Sequence, residues 1–213
     1  MFDLAQAKEE MLKEHLQARG IEDERVLSAF REVPREEFIP QELNHLSYED
    51  TPLEIGNGQT ISQPYTVAFM TQLLGPKEKD VVLEVGTGSG YQGAILSRLV
   101  RQVYSIERFK ELSDKAKEVL DRLGYKNVEL KVGDGSLGWP EKAPFNGVIV
   151  TAGSPDIPPP LLEQLKEDGR LVIPVGTHGQ EMMKVTKTKV GVKREVFPGF
   201  RFVPLVGEAG FKG

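Results

Sequence analysis

The stretch "VVLEVGTGSGYQGAIL", residues 81–96, decides the fold. An apolar strand pattern, broken only by Glu84, runs into Gly86, Gly88, Gly90 and Gly93, and helical periodicity follows at once. Glycines at such a turn allow φ > 0 and let a ligand approach the backbone closely, as at the first turn of a nucleotide-binding βαβ unit. Gly88, Gly90 and Gly93 satisfy G-x-G-x-x-G, so a dinucleotide is one candidate ligand. The next apolar run ends in Glu107, about 20 residues on, where an acid can hold ribose hydroxyls. Strand, loop, helix and acid stand in an order that suits any adenosine-containing cofactor.

Outward from this unit the pattern stays regular. Helix 64–74 precedes it; helix 90–100, strand 102–107, helix 109–123 and strand 128–132 follow. Strand 145–151, helix 159–166 and strand 170–175 come next. Strands separated by helices imply a parallel sheet built from right-handed crossovers. Residues 181–197 and 200–206 alternate and carry β-branched side chains, so antiparallel strands are expected to finish the sheet. Upstream, 3–19 and 23–33 read as amphipathic helices stopped by Gly20 and Pro34, and 34–63 reads as loop. No linker divides the chain. The expectation is one α/β domain over 1–213, with a doubly wound, mostly parallel sheet. It comprises a helical extension and cap (1–63), a cofactor-binding core (64–176) and C-terminal strands (177–213).

Composition narrows the function. A net charge of −5 gives no overall electrostatic footprint for nucleic acid. With no Cys there is no disulfide, thiol nucleophile or thiolate metal site, and His15, His45 and His178 have no metal-ligand spacing. No apolar run approaches the roughly 20 residues of a membrane span, and the N-terminus lacks a signal-peptide pattern. A cytoplasmic protein without metal, nucleic acid or membrane as partner is expected, and a monomer.

The ligand can be narrowed too. Glu84 sets a carboxylate beside the loop where a dinucleotide would bring pyrophosphate. S-adenosylmethionine has no phosphate and carries an ammonium and a sulfonium, so nearby acids favour it. The third strand ends in "GDG", 133–135, where Asp134 can accept from an adenine amino group and Gly135 gives clearance. Taken alone, Asp134-Gly135 is equally a turn. No G-K-[ST] follows the glycines, and no G-x-S-x-G elbow occurs.

Seven segments in order, "PLEIGNGQTISQPYTVAFM", "EVGTGSGYQGAIL", "VYSIER", "VGDGSLGW", "APFNGVIVTAG", "LKEDGRLVIPVG" and "RFVPL", resemble the protein-L-isoaspartate O-methyltransferases, from about residue 20 to 206. The glycine loop alone marks only a class I, Rossmann-like methyltransferase; "QTISQP" ahead of it and "RFVPL" behind are specific to the family. The resemblance implies a repair enzyme. It would move a methyl group from S-adenosylmethionine to the carboxylate of L-isoaspartyl residues in damaged proteins and release S-adenosylhomocysteine. It implies that Thr60, Ile61 and Ser62 cap the cofactor and line the substrate cleft, with Ser62 the active-site residue. The cofactor candidates are those three, Glu84, the loop Gly86, Thr87, Gly88, Ser89 and Gly90, then Glu107, Arg108, Asp134 and Gly135. The substrate candidates are Thr60, Ser62, Tyr65, Val203 and Pro204. Val206 stands where some relatives have a cofactor-touching threonine, and is left off.

Read from the residues alone, Ser62 or Gln63 suits the N-cap of a helix begun by Pro64, and Tyr65 suits core or cleft wall equally. The chemistry asks little of an acid or base: a side-chain carboxylate with a pKa of about 4 is already ionised at neutral pH. Three rivals stand beside this reading: a methyltransferase acting on RNA or a small molecule, an NAD-dependent oxidoreductase, and a non-catalytic nucleotide-binding module. Two Asn-Gly pairs occur, Asn146 in a buried strand and Asn57 in a loop expected to be mobile enough to form isoaspartate with age.

Overall fold

The computed structural model describes residues 3–212. Its sheet strands are β3 (Val81–Val85), β4 (Gln102–Glu107), β5 (Val128–Val132), β6 (Phe145–Val150), β7 (Leu165–Val175), β8 (Gln180–Thr188) and β9 (Gly191–Phe200), after a small hairpin of β1 (Leu53–Gly56) and β2 (Gln59–Ile61). The seven lie in the order β5-β4-β3-β6-β7-β8-β9, parallel from β5 to β7 and antiparallel beyond. The chain leaves β3 in one direction to β4 and β5 and returns on its other side to β6. That reversal opens a crevice at the carboxyl ends of β3, β4 and β6, where open α/β sheets bind ligands.

Every residue of β3 is buried, as a strand covered on both faces must be. Val82 joins the larger apolar cluster with α3 (Pro64–Leu74), α4 (Tyr91–Ser97), α5 (Lys110–Arg122) and the N-terminal helices α1 (Leu4–Glu10) and α2 (Glu24–Glu32). Leu83 and Val85 face the second cluster with Phe145, Leu161, Leu171 and Trp139. Glu84 points with Val82 into the first layer, a placement with consequences below.

Several boundaries differ from the sequence expectation, each for a local reason. The helix expected over 3–19 is α-helical only to Glu10, continues as a π-turn over Met11–Leu16 and tightens over Gln17–Arg19 before Gly20 at φ +89°. Helix 159–166 shortens to α6 (Pro159–Glu163) because Leu165 already pairs with Phe145. Residues 201–206 form no strand of the sheet. They make two isolated parallel bridges, Pro204 to Gly153 and Val206 to Phe211, with Gly153 N–H donating to Val203 O and Leu205 N–H to Gly153 O. The expected 34–63 loop contains the β1–β2 hairpin, whose tip is Asn57 (φ +52°) and Gly58 (φ +67°). Asn-Gly between alternating apolar residues is a strong hairpin signal, because both tip positions need positive φ. Asn57 therefore sits in a tight turn rather than the mobile loop expected for it.

Candidate active site

The crevice holds a cavity of about 840 Å³, open mouth included. Its floor is the glycine loop, where Gly86, Thr87, Gly88 and Ser89 line the space. A Cβ on Gly86 would stand 2.3 Å from Thr151 Oγ1, and one on Gly135 would stand 2.5 Å from Val85 Cγ1. Side chains are excluded at both points, so backbone forms the wall. Glu107, at the end of β4 and nearly buried, accepts from Gly88 N–H at 2.9 Å and from Phe109 N–H at 3.0 Å. It lines the cavity beside Arg108 and Gly135. An adenosine-type ligand fits these residues: carboxylate acceptors beside a loop that only glycine can thread.

Glu84 is elsewhere. It is fully buried behind the loop, with Oε2 accepting from Ser105 Oγ at 2.5 Å and Oε1 unpartnered. The Ser105 oxygen lies 2.6 Å from Thr87 Oγ1, so a hydroxyl chain links the buried acid to a cavity residue. Burial pushes the Glu84 pKa up to about 8; the Ser105 hydrogen bond opposes the shift and the Glu107 charge adds to it.

The opposite wall comes from the N-terminal cap and the C-terminal segment. Thr60, Ile61, Ser62, Val203, Pro204 and Val206 line the cavity, and Ile55 of β1 would lie 3.4 Å from a Cβ on Gly88. A second cavity adjoins, and Thr60, Ser62, Thr151, Val203 and Pro204 line both. These five form the partition between them. The start of α3 answers the capping question: Tyr65 N–H donates to Asp50 Oδ1 at 2.9 Å, and Gln63 makes no side-chain cap. Among the described residues, the Ser62 and Thr60 side chains make no hydrogen bond.

Three further candidates lie off the cavity walls. Gly90, at φ +89°, faces α5, where an added Cβ would stand 3.2 Å from Ala116. Tyr65 stacks on Phe69 at 5.7 Å and beneath Arg19. Asp134 accepts from Ser136 N–H, Ser136 Oγ–H and Glu208 N–H, which ties the C-terminal segment down. Burial alone would raise the Asp134 pKa, but those bonds and the Arg108 charge hold it below the usual carboxylate value. Thr151, Gln92, Tyr91 and Gln59 line the first cavity and were missed. Thr151 was legible in principle, since it follows a parallel strand at its carboxyl end.

A glycine loop at the switch point and an acid ending the second strand fit the class I, S-adenosylmethionine-dependent methyltransferases, the class to which the matching proteins belong. Comparison with known proteins narrows the class. Residues 6–210 match the family model for protein-L-isoaspartate(D-aspartate) O-methyltransferase. A Pelobacter propionicus protein-L-isoaspartate O-methyltransferase is 53% identical over 96% of this chain and 92% of its own. One from Syntrophobacter fumaroxidans is 49% identical over 100% of both chains. A solved protein-L-isoaspartate O-methyltransferase superposes with a TM-score of 0.85 at 31% identity, over 95% of this chain and 67% of that one. A Plasmodium falciparum structure described as this enzyme, in complex with S-adenosyl-L-homocysteine, gives 0.79 at 27% identity, over 92% of this chain and 96% of its own. The chain belongs to the protein-L-isoaspartate(D-aspartate) O-methyltransferase family: it is a methyltransferase of isoaspartyl residues with S-adenosylmethionine as donor.

The Glu84 geometry makes a prediction about stability. Its folded pKa of about 8 lies above its ordinary 4.5. Between those values the folded chain keeps a proton that the unfolded chain has lost, so this contribution falls as pH rises, by at most about 1.4 kcal/mol per unit. Glu84→Gln removes that slope. Urea unfolding between about pH 5 and 8 should show the native protein losing stability relative to the variant; parallel curves would show Glu84 to be ionised in the fold.

Proposed function

We propose that Ser62 positions the isoaspartyl carboxylate for methylation at the partition between the two cavities, with cofactor in the first and peptide in the second. The observation that carries this is a hydroxyl lining both spaces and engaged by no other residue, at the start of a helix already capped by Asp50. S-adenosylmethionine supplies an activated methyl group. Glu107 would hold its ribose hydroxyls, with Gly86, Thr87, Gly88, Ser89, Arg108 and Gly135 around the nucleoside and Thr60 and Ile61 closing over it. Glu84 acts from behind the loop through Ser105 and Thr87, Gly90 shapes the turn, and Asp134 holds the C-terminal wall.

The substrate carboxylate is already a nucleophile, so the chain has no proton to remove. Its work is alignment and the exclusion of water. Ser62 Oγ–H donates to one carboxylate oxygen and leaves the other free to attack. Val203 and Pro204 form the far wall, a backbone surface that can accept many peptide sequences. Repair then follows from chemistry: the neighbouring backbone amide nitrogen attacks the ester carbonyl, loses its proton and expels methanol, where a carboxylate would have to expel oxide, and water opens the resulting succinimide partly to normal aspartate. Both cavities are lined by residues of this chain. Lys193, Arg194 and Glu195 on edge strand β9 oppose edge-to-edge pairing, which fits action as a monomer. A cytoplasmic setting completes the reading; among the described residues no helix is long and apolar enough to cross a membrane.

Labelled S-adenosylmethionine should methylate an L-isoaspartyl peptide and leave the matching aspartyl peptide essentially unlabelled; equal labelling would overturn the substrate reading. Glu107→Gln should raise the cofactor dissociation constant about ten- to hundredfold. Turnover at saturation should change far less, because a ribose contact is made equally in ground and transition states. Calorimetry giving an unchanged dissociation constant would remove Glu107 from the site. Ser62→Ala should lower turnover with cofactor affinity nearly kept, and full turnover in that variant would make Ser62 a bystander.

A further inference from the structure

The start of α3 carries more than one interaction with Asp50. Its Oδ1 accepts from Tyr65 N–H at 2.9 Å. Its Oδ2 accepts from Gln63 Nε2 at 3.0 Å and from Arg19 at 2.5 Å. The Arg19 guanidinium in turn lies 3.6 Å over the Tyr65 ring. Asp50 is only 12% exposed, so these contacts fix it in place. Gln63 and Tyr65, just after Ser62, are thus held by a side chain 13 and 15 positions earlier in the chain.

Gln63 is the N-cap and its side chain caps nothing; Ser62, one residue earlier, can still accept from an N–H two or three residues on, as serine does at turns. Two residues beyond Ser62 is Pro64, which has no N–H. Three beyond is Tyr65, whose N–H Asp50 already takes. Asp50 and Ser62 therefore compete for one donor. The carboxylate wins because a charged acceptor makes the stronger hydrogen bond and its charge complements the positive end of the helix. We propose that Asp50 is a positioning residue for the reaction: by capping α3 in place of Ser62, it keeps the Ser62 hydroxyl directed to the cavity partition and available to substrate. Arg19 holds the Asp50 charge against the helix start and covers Tyr65. Without Asp50, the Ser62 hydroxyl turns back to the Tyr65 amide and is lost to the site. The inference rests on the proposed role of Ser62, but its structural half can be read without activity.

The test is a double-mutant cycle on the full chain, with Asp50→Ala, Ser62→Ala, the double variant and Asp50→Asn. Ser62→Ala alone should leave the melting temperature unchanged, since its hydroxyl caps nothing. In the Asp50→Ala background the same substitution should lower it by about 2–4 °C, because the hydroxyl has become the cap. Turnover should fall at least tenfold in Asp50→Ala, and adding Ser62→Ala should lower it little further. Asp50→Asn, which still accepts from Tyr65 N–H but forms no ion pair, should recover most of the lost turnover. If Ser62→Ala destabilises the native background as much as the Asp50→Ala background, the two residues do not compete and the proposal fails. If Asp50→Asn is as slow as Asp50→Ala, capping is not the route and the proposal fails as well. A Ser62→Ala enzyme of full activity with the thermal cycle intact would overturn the catalytic reading of Ser62 and leave the competition for Tyr65 standing. Should Asp50→Ala not fold, Asp50→Asn carries the comparison: its turnover staying near the native value, with Ser62→Ala thermally silent, is the supporting result.

Discussion

The site depends first on one carboxylate. Glu107 ends β4, and its two oxygens each take a backbone N–H, one from Gly88 in the glycine loop and one from Phe109 at the start of α5. The loop that leaves β3 is thereby fastened to the strand beside it. Without that fastening, a segment with three positive-φ glycines in five residues, Gly86, Gly88 and Gly90, has little to fix its path. Each carboxylate oxygen has a second lone pair, so the acid that shapes the loop keeps acceptor capacity toward the cavity. Gly86 N–H donating to Ile106 O at 2.8 Å continues the same fastening, and Thr151 Oγ–H donating to Gly86 O at 2.7 Å secures it from β6. Three strands therefore converge on one turn.

Much of this was legible in the sequence because it is local. The glycine loop, the acid ending β4 and the alternation of strands with helices follow from period, spacing and turn chemistry, and the sheet is mostly parallel as that alternation requires. What was not legible depends on contacts between distant segments. Val82 and Glu84 share a face of β3, so once that face packed against α4 the acid had to go inside. Nothing within 81–96 tells which face that is. The 201–206 segment alternates like a strand, yet Gly153 accepts and donates along only part of it. Gln180 takes over where main-chain pairing ends: its Oε1 accepts from Phe202 N–H at 2.6 Å, and its Nε2 donates to Phe202 O at 3.2 Å. One side chain thus satisfies a residue that the sheet does not. The hairpin over 53–61 was different: its Asn-Gly signal was present, and the glycine-flanked run around it read as loop.

The buried polar groups divide into two kinds. Glu84 lies under the glycine loop with a hydroxyl chain leading to the cavity. Arg35 is fully buried, its guanidinium carbon 4.9 Å over the Tyr91 ring, and burial lowers its pKa while the nearby Tyr91, Asp50 and Tyr48 oppose that. Tyr91 is the first residue of α4 and a wall of the first cavity. The cation therefore joins the N-terminal cap to the cofactor helix. Buried charge is a costly way to join two elements, and here the guanidinium nitrogens have no hydrogen-bond partner among the described residues, so the Tyr91 ring face is the contact that offsets the cost.

Asp134 shows how the two walls come to be coupled. Sequence reading placed it at the nucleoside. Its carboxylate instead accepts from Ser136 and from Glu208 N–H, and Ser136 Oγ accepts from Ala209 N–H at 3.0 Å. A Cβ on Gly207 would fall 2.1 Å from Asp134 Oδ1, so the segment can approach this closely only because that residue is glycine. From there the chain doubles back: Phe211 N–H donates to Leu205 O and Gly207 N–H to Phe211 O. The far wall of the cleft, Val203 and Pro204, is thus pinned at one end by Gln180 and Gly153 and at the other by a turn anchored on the third strand. Gly135, next to that anchor, lines the first cavity. A nucleoside seated against Gly135 and a peptide seated against Val203 would therefore press on two parts of one hydrogen-bonded assembly. The wall formed by Val203 and Pro204 is in this way set by the same end of β5 that places Gly135 in the first cavity.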